Sequence, residues 1–142
     1  MPTIMPPINW LAVLVGGLAI WILGALWYSK AMFVKPWMAL QGIPADHQPT
    51  EEQKKQMPMM LVQAFICGAI TTLVLAVLLN HFVNPTALRG ALLGALCAVG
   101  FGGVTSYATH LFSMRSRKLW LIDFGHNLVG AMIAGAIIAV WR

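Results

Sequence analysis

A single carboxylic acid, Asp123, lies within a long apolar stretch towards the end of the 142-residue sequence. An Asp at the centre of a helix surrounded by hydrocarbon costs about 3 kcal/mol, so such a residue usually has a purpose. His126 and Asn127 follow at i+3 and i+4 and would share a helix face with it. An acid beside an imidazole can hold or pass a proton near physiological pH, because burial raises the pKa of an acid while a cationic neighbour lowers it. The spacing therefore predicts a proton or substrate site.

This site is expected near one boundary of the membrane, because Asp123 lies four residues, or about 6 Å, into a helical run that starts at Leu119. Polar residues of two other apolar runs should reach the same depth. The candidate site comprises Asp123, His126, Asn127, Tyr28, Ser106 and His110. Two alternatives remain. The residues could form a hydrogen-bonded clasp between the first, third and fourth helices, with Asp123 paired to Arg117 or Lys118, or Asp123 could be simply exposed at the interface.

Motifs of the common enzyme classes do not occur in the sequence. It contains no Walker phosphate loop, no HExxH, no GxSxG and no nucleophile–base pair at a useful spacing. The four histidines are scattered. Cys67 and Cys97 lie inside separate apolar runs, where free cysteine behaves as a small hydrophobic residue. We therefore expect no enzymatic activity, no metal and no cofactor.

The elements that must position these residues are membrane-spanning helices. The sequence is 59% hydrophobic and only 9% charged, too few charges for a water-soluble globule. About 20 apolar residues of helix cross a bilayer, and four runs qualify: Ile8–Ser29, Pro58–Asn80, Leu88–Leu111 and Leu119–Trp141. Each run is continuously apolar, unlike the alternating strands of a barrel. We predict an all-α, four-transmembrane-helix bundle forming one domain over residues 1–142, with a long loop at 30–57.

The distribution of basic residues predicts the orientation. Seven Lys and Arg residues occupy the connections after the first and third runs, whereas only Arg89 and Arg142 lie on the other side. The positive-inside rule then places both basic loops in the cytoplasm and both termini on the outer side of the membrane. The aromatic residues expected at the inner interface are Trp27, Tyr28, Trp37 and Trp120. Because the basic residues flank apolar runs, the bilayer is the predicted partner and nucleic acid is not.

The loop at 30–57 divides into two parts. Residues 31–40 mix apolar side chains with Lys35 and suit a short segment lying on the membrane surface. Thr50 and Gln53 form a capping-box pattern that should open a charged helical turn leading into the second run. Pro58 either starts the membrane part of that helix or kinks it.

Two patterns concern how the helices pack. Gly24, Tyr28 and Phe33 recur 79 residues later as Gly103, Tyr107 and Phe112. This repeat suggests two parallel helical hairpins, and a chance match is the alternative. Small residues at i+4 spacing in the third run predict close helix packing and a bundle with little internal space. They are Gly90, Gly94, Ala98, Gly102 and Ser106.

Three segments and the residues after the first span resemble one known family. The segments are Ile8-Asn9-Trp10-Leu11-Ala12-Val13, Gly24-Ala25-Leu26-Trp27-Tyr28-Ser29 and Leu121-Ile122-Asp123, and the further residues are Phe33, Lys35 and Trp37. Over nearly its whole length the chain is similar to the bacterial small membrane proteins of domain of unknown function 1761, which implies a place in the inner membrane of a bacterium. Members typically continue Gly-Tyr-His after the Asp, whereas this chain has Gly125-His126-Asn127. The resemblance implies the same four-helix membrane fold and brings no established activity.

These observations lead to two main functional hypotheses, and a third, a membrane enzyme acting on lipid, is favoured only if Asp123, His126 and Tyr28 converge on a lipid-accessible cleft. The first is a homo-oligomeric transporter or channel-like protein with the Asp123 cluster near its cytoplasmic mouth, in which the transported species passes between subunits. The second is a structural or accessory subunit of a larger membrane assembly, in which Asp123 clasps helices together.

Overall fold

The computed structural model describes residues 7–142, which form helices and no β-strand. The elements are α1 (Trp10–Trp27), α2 (Val34–Leu40), α3 (Glu51–Leu79), α4 (Ala87–Cys97), a π-helical segment (Ala98–Gly103), α5 (Val104–Phe112) and α6 (Arg117–Val140). The π segment joins α4 and α5 into one continuous helix, Ala87–Phe112, which we call the third span.

Four helices are long and apolar enough to cross a membrane: α1, α3, the third span and α6. The predicted all-α bundle of four such helices is confirmed. The helices do not coincide with the apolar runs. α1 ends two residues before its run does, whereas α3 begins at Glu51, as the capping-box pattern predicted, and α6 begins at Arg117. α3 and α6 extend past their apolar runs because polar residues at their N-terminal ends are also helical.

The start of α3 shows why the helix extends into the polar loop. The Thr50 hydroxyl accepts from Gln53 N at 3.2 Å, and the Gln53 side chain accepts from Thr50 N at 2.9 Å. The predicted capping box is therefore confirmed. Lys54 pairs with Glu51 at 2.8 Å within the same turn. The helix then continues through Pro58, which lies in its second turn.

α6 contacts α1, α3 and the third span, and it lies closest to α4. Gly90 and Gly94 make that approach possible. A Cβ on Gly90 would collide with the Gly135 carbonyl oxygen, and one on Gly94 would collide with the Ala131 carbonyl oxygen. Small residues thus let the two backbones touch, as the spacing predicted.

The predicted i+4 stripe of small residues is wrong beyond Ala98. Gly102 and Ser106 are exposed, whereas Gly103 is buried. The π segment explains the difference, since a π turn contains one residue more than an α turn and shifts the register of everything after it. Gly103 therefore continues the packed face that Gly102 was expected to continue.

One end of the bundle carries α2 and the loop between α5 and α6. Tyr28, at the end of α1, meets Asp123, near the start of α6, at this end. The two basic connections of the sequence also lie there, so we call it the basic end.

Candidate functional site

Asp123 is held by two aromatic donors from different helices. Its Oδ1 accepts from the Tyr28 hydroxyl at 2.7 Å and from Trp37 Nε1 at 3.0 Å. Tyr28 caps the end of α1 and Trp37 lies on α2. One carboxylate oxygen thereby links α1, α2 and α6. Hydrogen bonds to a charged acceptor are roughly twice as strong as neutral ones.

Next to Asp123, a second bond joins the same helices. Trp27 Nε1 donates to the backbone oxygen of Ile122 at 2.9 Å. The Trp27 ring also lies 4.8 Å from the ring of Phe33, which precedes α2. These contacts fix the path of the chain from α1 into α2, and so they fix the position of Trp37 over Asp123.

His126 lies one turn deeper than Asp123 and between α1 and α6. Its ring centroid is 5.7 Å from that of Tyr28 and 6.3 Å from that of Trp27. Gly24 provides the space, because a Cβ there would lie 3.2 Å from His126 Nε2. This nitrogen is buried and makes no hydrogen bond among residues 7–142.

The other nitrogen of the imidazole faces Asn127. His126 Nδ1 and Asn127 Oδ1 are 3.3 Å apart. A carboxamide oxygen only accepts hydrogen bonds, so this contact favours the tautomer with its proton on Nδ1. In that tautomer the buried Nε2 is an unpaired acceptor. Polar groups left in this state are rare in folded proteins and call for an explanation.

Asn127 opens into a groove of about 430 Å³ on the side of the bundle. The groove runs between α3 and the π segment, with α1 and α6 behind it. Its lining is mainly apolar and comprises Ile20, Ile70, Thr71, Val74, Leu75, Cys97, Ala98, Phe101, Gly102, Asn127 and Ala131. The groove is open at the side of the bundle and is not an internal cavity, and it exists because α3 and the third span barely touch.

A second recess, of about 370 Å³, lies at the basic end. It is lined by Leu40, Gln41, Met114, Arg115, Ser116 and Leu119. Leu119 precedes Asp123 by one helical turn, and Leu40 follows Trp37 by nearly one. The recess therefore lies about one turn outside the Asp123 site.

Ser106 and His110 do not join Asp123. Ser106 Oγ accepts from Trp120 Nε1 at 3.0 Å on a different face of α6. His110 Nε2 is buried and has no hydrogen bond within the described part of the chain. Asp123 makes no ion pair with Arg117 or Lys118 among those residues either. The predicted clasp of the first, third and fourth helices is thus corrected to one of α1, α2 and α6.

The second copy of the repeat forms a separate aromatic cluster. Gly103 faces the ring of Phe124, much as Gly24 faces an imidazole, and a Cβ there would lie 2.8 Å from that ring. Tyr107 packs on Trp120 at 4.8 Å, and Trp120 stacks on Phe124 at 4.9 Å. The Gly and Tyr of each copy therefore contact different faces of α6, whereas the third residue of the repeat is not equivalent, because Phe33 packs on Trp27 and Phe112 is exposed.

Sequence reasoning placed Trp27 and Trp37 only as interface markers and missed their hydrogen bonds. The available signal was a tryptophan in a short surface segment directly after the first span, because its N–H needs an acceptor when half-buried. No group of three or more His, Cys, Asp or Glu side chains suited to a metal occurs among residues 7–142.

The family model described as Protein of unknown function (DUF1761) matches residues 11–139. The chain belongs to the DUF1761 family. The resemblance inferred from the three sequence segments is confirmed. No curated protein and no solved structure matches this DUF1761 chain.

Proposed function

We propose that this DUF1761 protein is a proton-linked membrane transporter, not an enzyme, and that its basic end faces the cytoplasm. In this proposal Asp123 and His126 carry the proton through one half of the bundle, and Asn127 orients the imidazole. The observation that carries it is the succession of Asp123, His126 and Asn127 along α6, in which His126 Nε2 is buried and makes no hydrogen bond among residues 7–142. Ionisable residues in such helices commonly mark proton or substrate pathways.

The order of the polar groups supports a route. Asn127 lines the groove on the side of the bundle, and the recess at the basic end lies one turn outside Asp123. Asp123 and Asn127 are four residues apart, about 6 Å along α6. His126 lies between them and faces Asn127 with Nδ1. The three polar groups therefore follow one another along α6, from one turn inside the recess to the groove.

The imidazole provides the chemistry of transfer. A proton arriving through Asp123 binds the free Nε2 and produces an imidazolium. Water that reaches the His126–Asn127 pair takes the other ring proton from Nδ1 as hydronium, which completes one transfer and leaves the opposite tautomer. An imidazole suits this role because it gains and loses charge between about pH 5 and 8.

Proton flux into liposomes tests the proposal. Purified protein is reconstituted with an entrapped pH indicator, and a potassium diffusion potential drives protons inward. We expect flux above protein-free liposomes, and His126→Gln should lower it about tenfold or more, because glutamine carries no titratable proton. His110→Gln is the matched control and should keep the flux. Equal flux in wild type and His126→Gln would remove His126 from the route.

A second candidate function is that of an accessory subunit. The double hydrogen bond to Asp123 Oδ1 favours it, because two neutral donors satisfy a carboxylate whose only task is to hold helices together. This role predicts no proton flux above protein-free liposomes, together with a loss of stability in Asp123→Asn.

A further inference from the structure

Asn127 occupies an unusual place for a polar side chain. It is the eleventh residue of the 24-residue α6, close to the middle of the predicted bilayer, and it is exposed. Its oxygen faces His126, but its Nδ2 group makes no hydrogen bond within residues 7–142. Hydrocarbon offers no partner to such a group, so leaving it unpaired is costly.

The residues that line the groove do not provide a hydrogen-bond partner for the Asn127 Nδ2 group. Thr71 also lines the groove, but its Oγ1 already donates to Cys67 O at 3.0 Å within α3. The acyl chains of lipids have no donor or acceptor at this depth. A suitable occupant must therefore bring a hydrogen-bonding group to the middle of the membrane.

The rim of the groove is shaped for close contact. Phe101 projects from the π segment and is 79% exposed. Gly100 and Gly102 flank it, and a Cβ on either would meet no atom within 4 Å. An exposed aromatic ring beside glycine backbone and an apolar groove forms a surface on which another helix can pack closely.

We propose that this groove is the interface of a homodimer, in which the Asn127 side chains of two copies hydrogen-bond to each other. Two copies inserted in the same direction are related by an axis along the membrane normal, so each residue meets its own counterpart at the same depth. A carboxamide carries both donors and acceptors and can pair with itself. Phe101 of each copy then fills the apolar groove of the other.

The dimer does not depend on proton transport. It would bring the two His126–Asn127 pairs to a common axis. Association and flux are measured separately, and either can fail without the other.

Dimerisation is measured with full-length protein in liposomes, by energy transfer between two labelled populations as the lipid-to-protein ratio increases. We expect a dimer whose dissociation constant rises about tenfold in Asn127→Leu, since two interhelical hydrogen bonds are lost. Gln63→Leu is the control, because Gln63 is also polar and exposed in a span but lies outside the groove. It should associate as wild type does.

Native cysteines provide a second readout that does not alter Asn127. Cys97 lines the groove and Cys67 does not. A bismaleimide should link two copies through Cys97 in Cys67→Ser and should not link them through Cys67 in Cys97→Ser. Wild-type association in Asn127→Leu, cross-linking through Cys67 alone, or a monomer with lipid in the groove at every dilution would each overturn the proposal.

Discussion

At the scale of single residues, the hydroxyl of Tyr28 and the indole of Trp37 converge on one oxygen of Asp123. Both donors are neutral, so they lower the cost of a carboxylate in a membrane helix without introducing a second charge. The arrangement also makes Asp123 dependent on α2, because Trp37 keeps its place only while α2 packs against α6.

Loss of the Tyr28 hydroxyl should therefore destabilise the protein. We expect Tyr28→Phe to lower the free energy of unfolding by about 1–2 kcal/mol, the usual value of a hydrogen bond to a charged group in a partly buried site. Tyr107→Phe is the matched control from the second repeat, because the Tyr107 hydroxyl makes no hydrogen bond among residues 7–142, and it should change stability little. Unfolding in mixed detergent measures both.

The same pair of residues tests whether the bond itself is responsible. In a double-mutant cycle, Tyr28→Phe should cost little once Asp123→Asn is present, because the charge-assisted bond has already been weakened. Additive losses would show that Tyr28 acts through its packing on His126 and not through Asp123.

At the scale of elements, the π segment decides which residues of the third span face α6. Periodicity of four residues indicated Gly102 and Ser106, but the wide turn moves that position to Gly103. Gly90 and Gly94 precede the turn and keep the predicted register.

Alanine substitutions test whether the third span has the register shifted by the π segment or that of a regular α-helix. Gly94→Ala should lower the free energy of unfolding by about 1–3 kcal/mol, because its methyl group would collide with the Ala131 carbonyl. The methyl group of Gly102→Ala would meet no atom within 4 Å, so this variant should be neutral or stabilised by up to about 1 kcal/mol through helix propensity. Similar losses at both positions, measured by thermal unfolding in detergent, would favour a regular α-helix in the third span.

The limits of sequence reasoning follow from these elements. Apolar length and charge placement predicted the four helices, and i+3 spacing brought His126 beside Asp123, because both signals depend on short-range geometry. The partner Tyr28 was found by depth alone. The hydrogen bond from Trp37 could not be found in this way, because it depends on how α2 folds back over α6. The absence of Ser106 from the site could not be found either, because it depends on one extra residue in a helical turn.

At the scale of the whole molecule, the orientation of the bundle decides the direction of any transport. The basic end should face the cytoplasm because seven of the nine Lys and Arg residues belong to its two connections. Asp123 and the recess would then be reached from inside the cell, and the groove from the membrane.

Single cysteines in the Cys67→Ser, Cys97→Ser background test this orientation. A membrane-impermeant maleimide added to intact cells should label Val83→Cys, at the opposite end, and should label Thr50→Cys only after the cells are opened. Val83 is 82% exposed, so its substitution should not disturb the fold. The reverse labelling pattern would invert the proposed direction.

The widened turn of the third span also determines how this protein tolerates changes in chain length. Deleting one residue between 98 and 103 would replace the π turn with an ordinary α turn, and the residues that follow would keep their present faces. Gly103 would then stand four residues after Ala98, and both the Tyr107–Trp120 contact and the Gly90–Gly94 contact would stay in place. A one-residue deletion is therefore tolerated at this turn, whereas the same deletion elsewhere in the third span would rotate all that follows by about 100°.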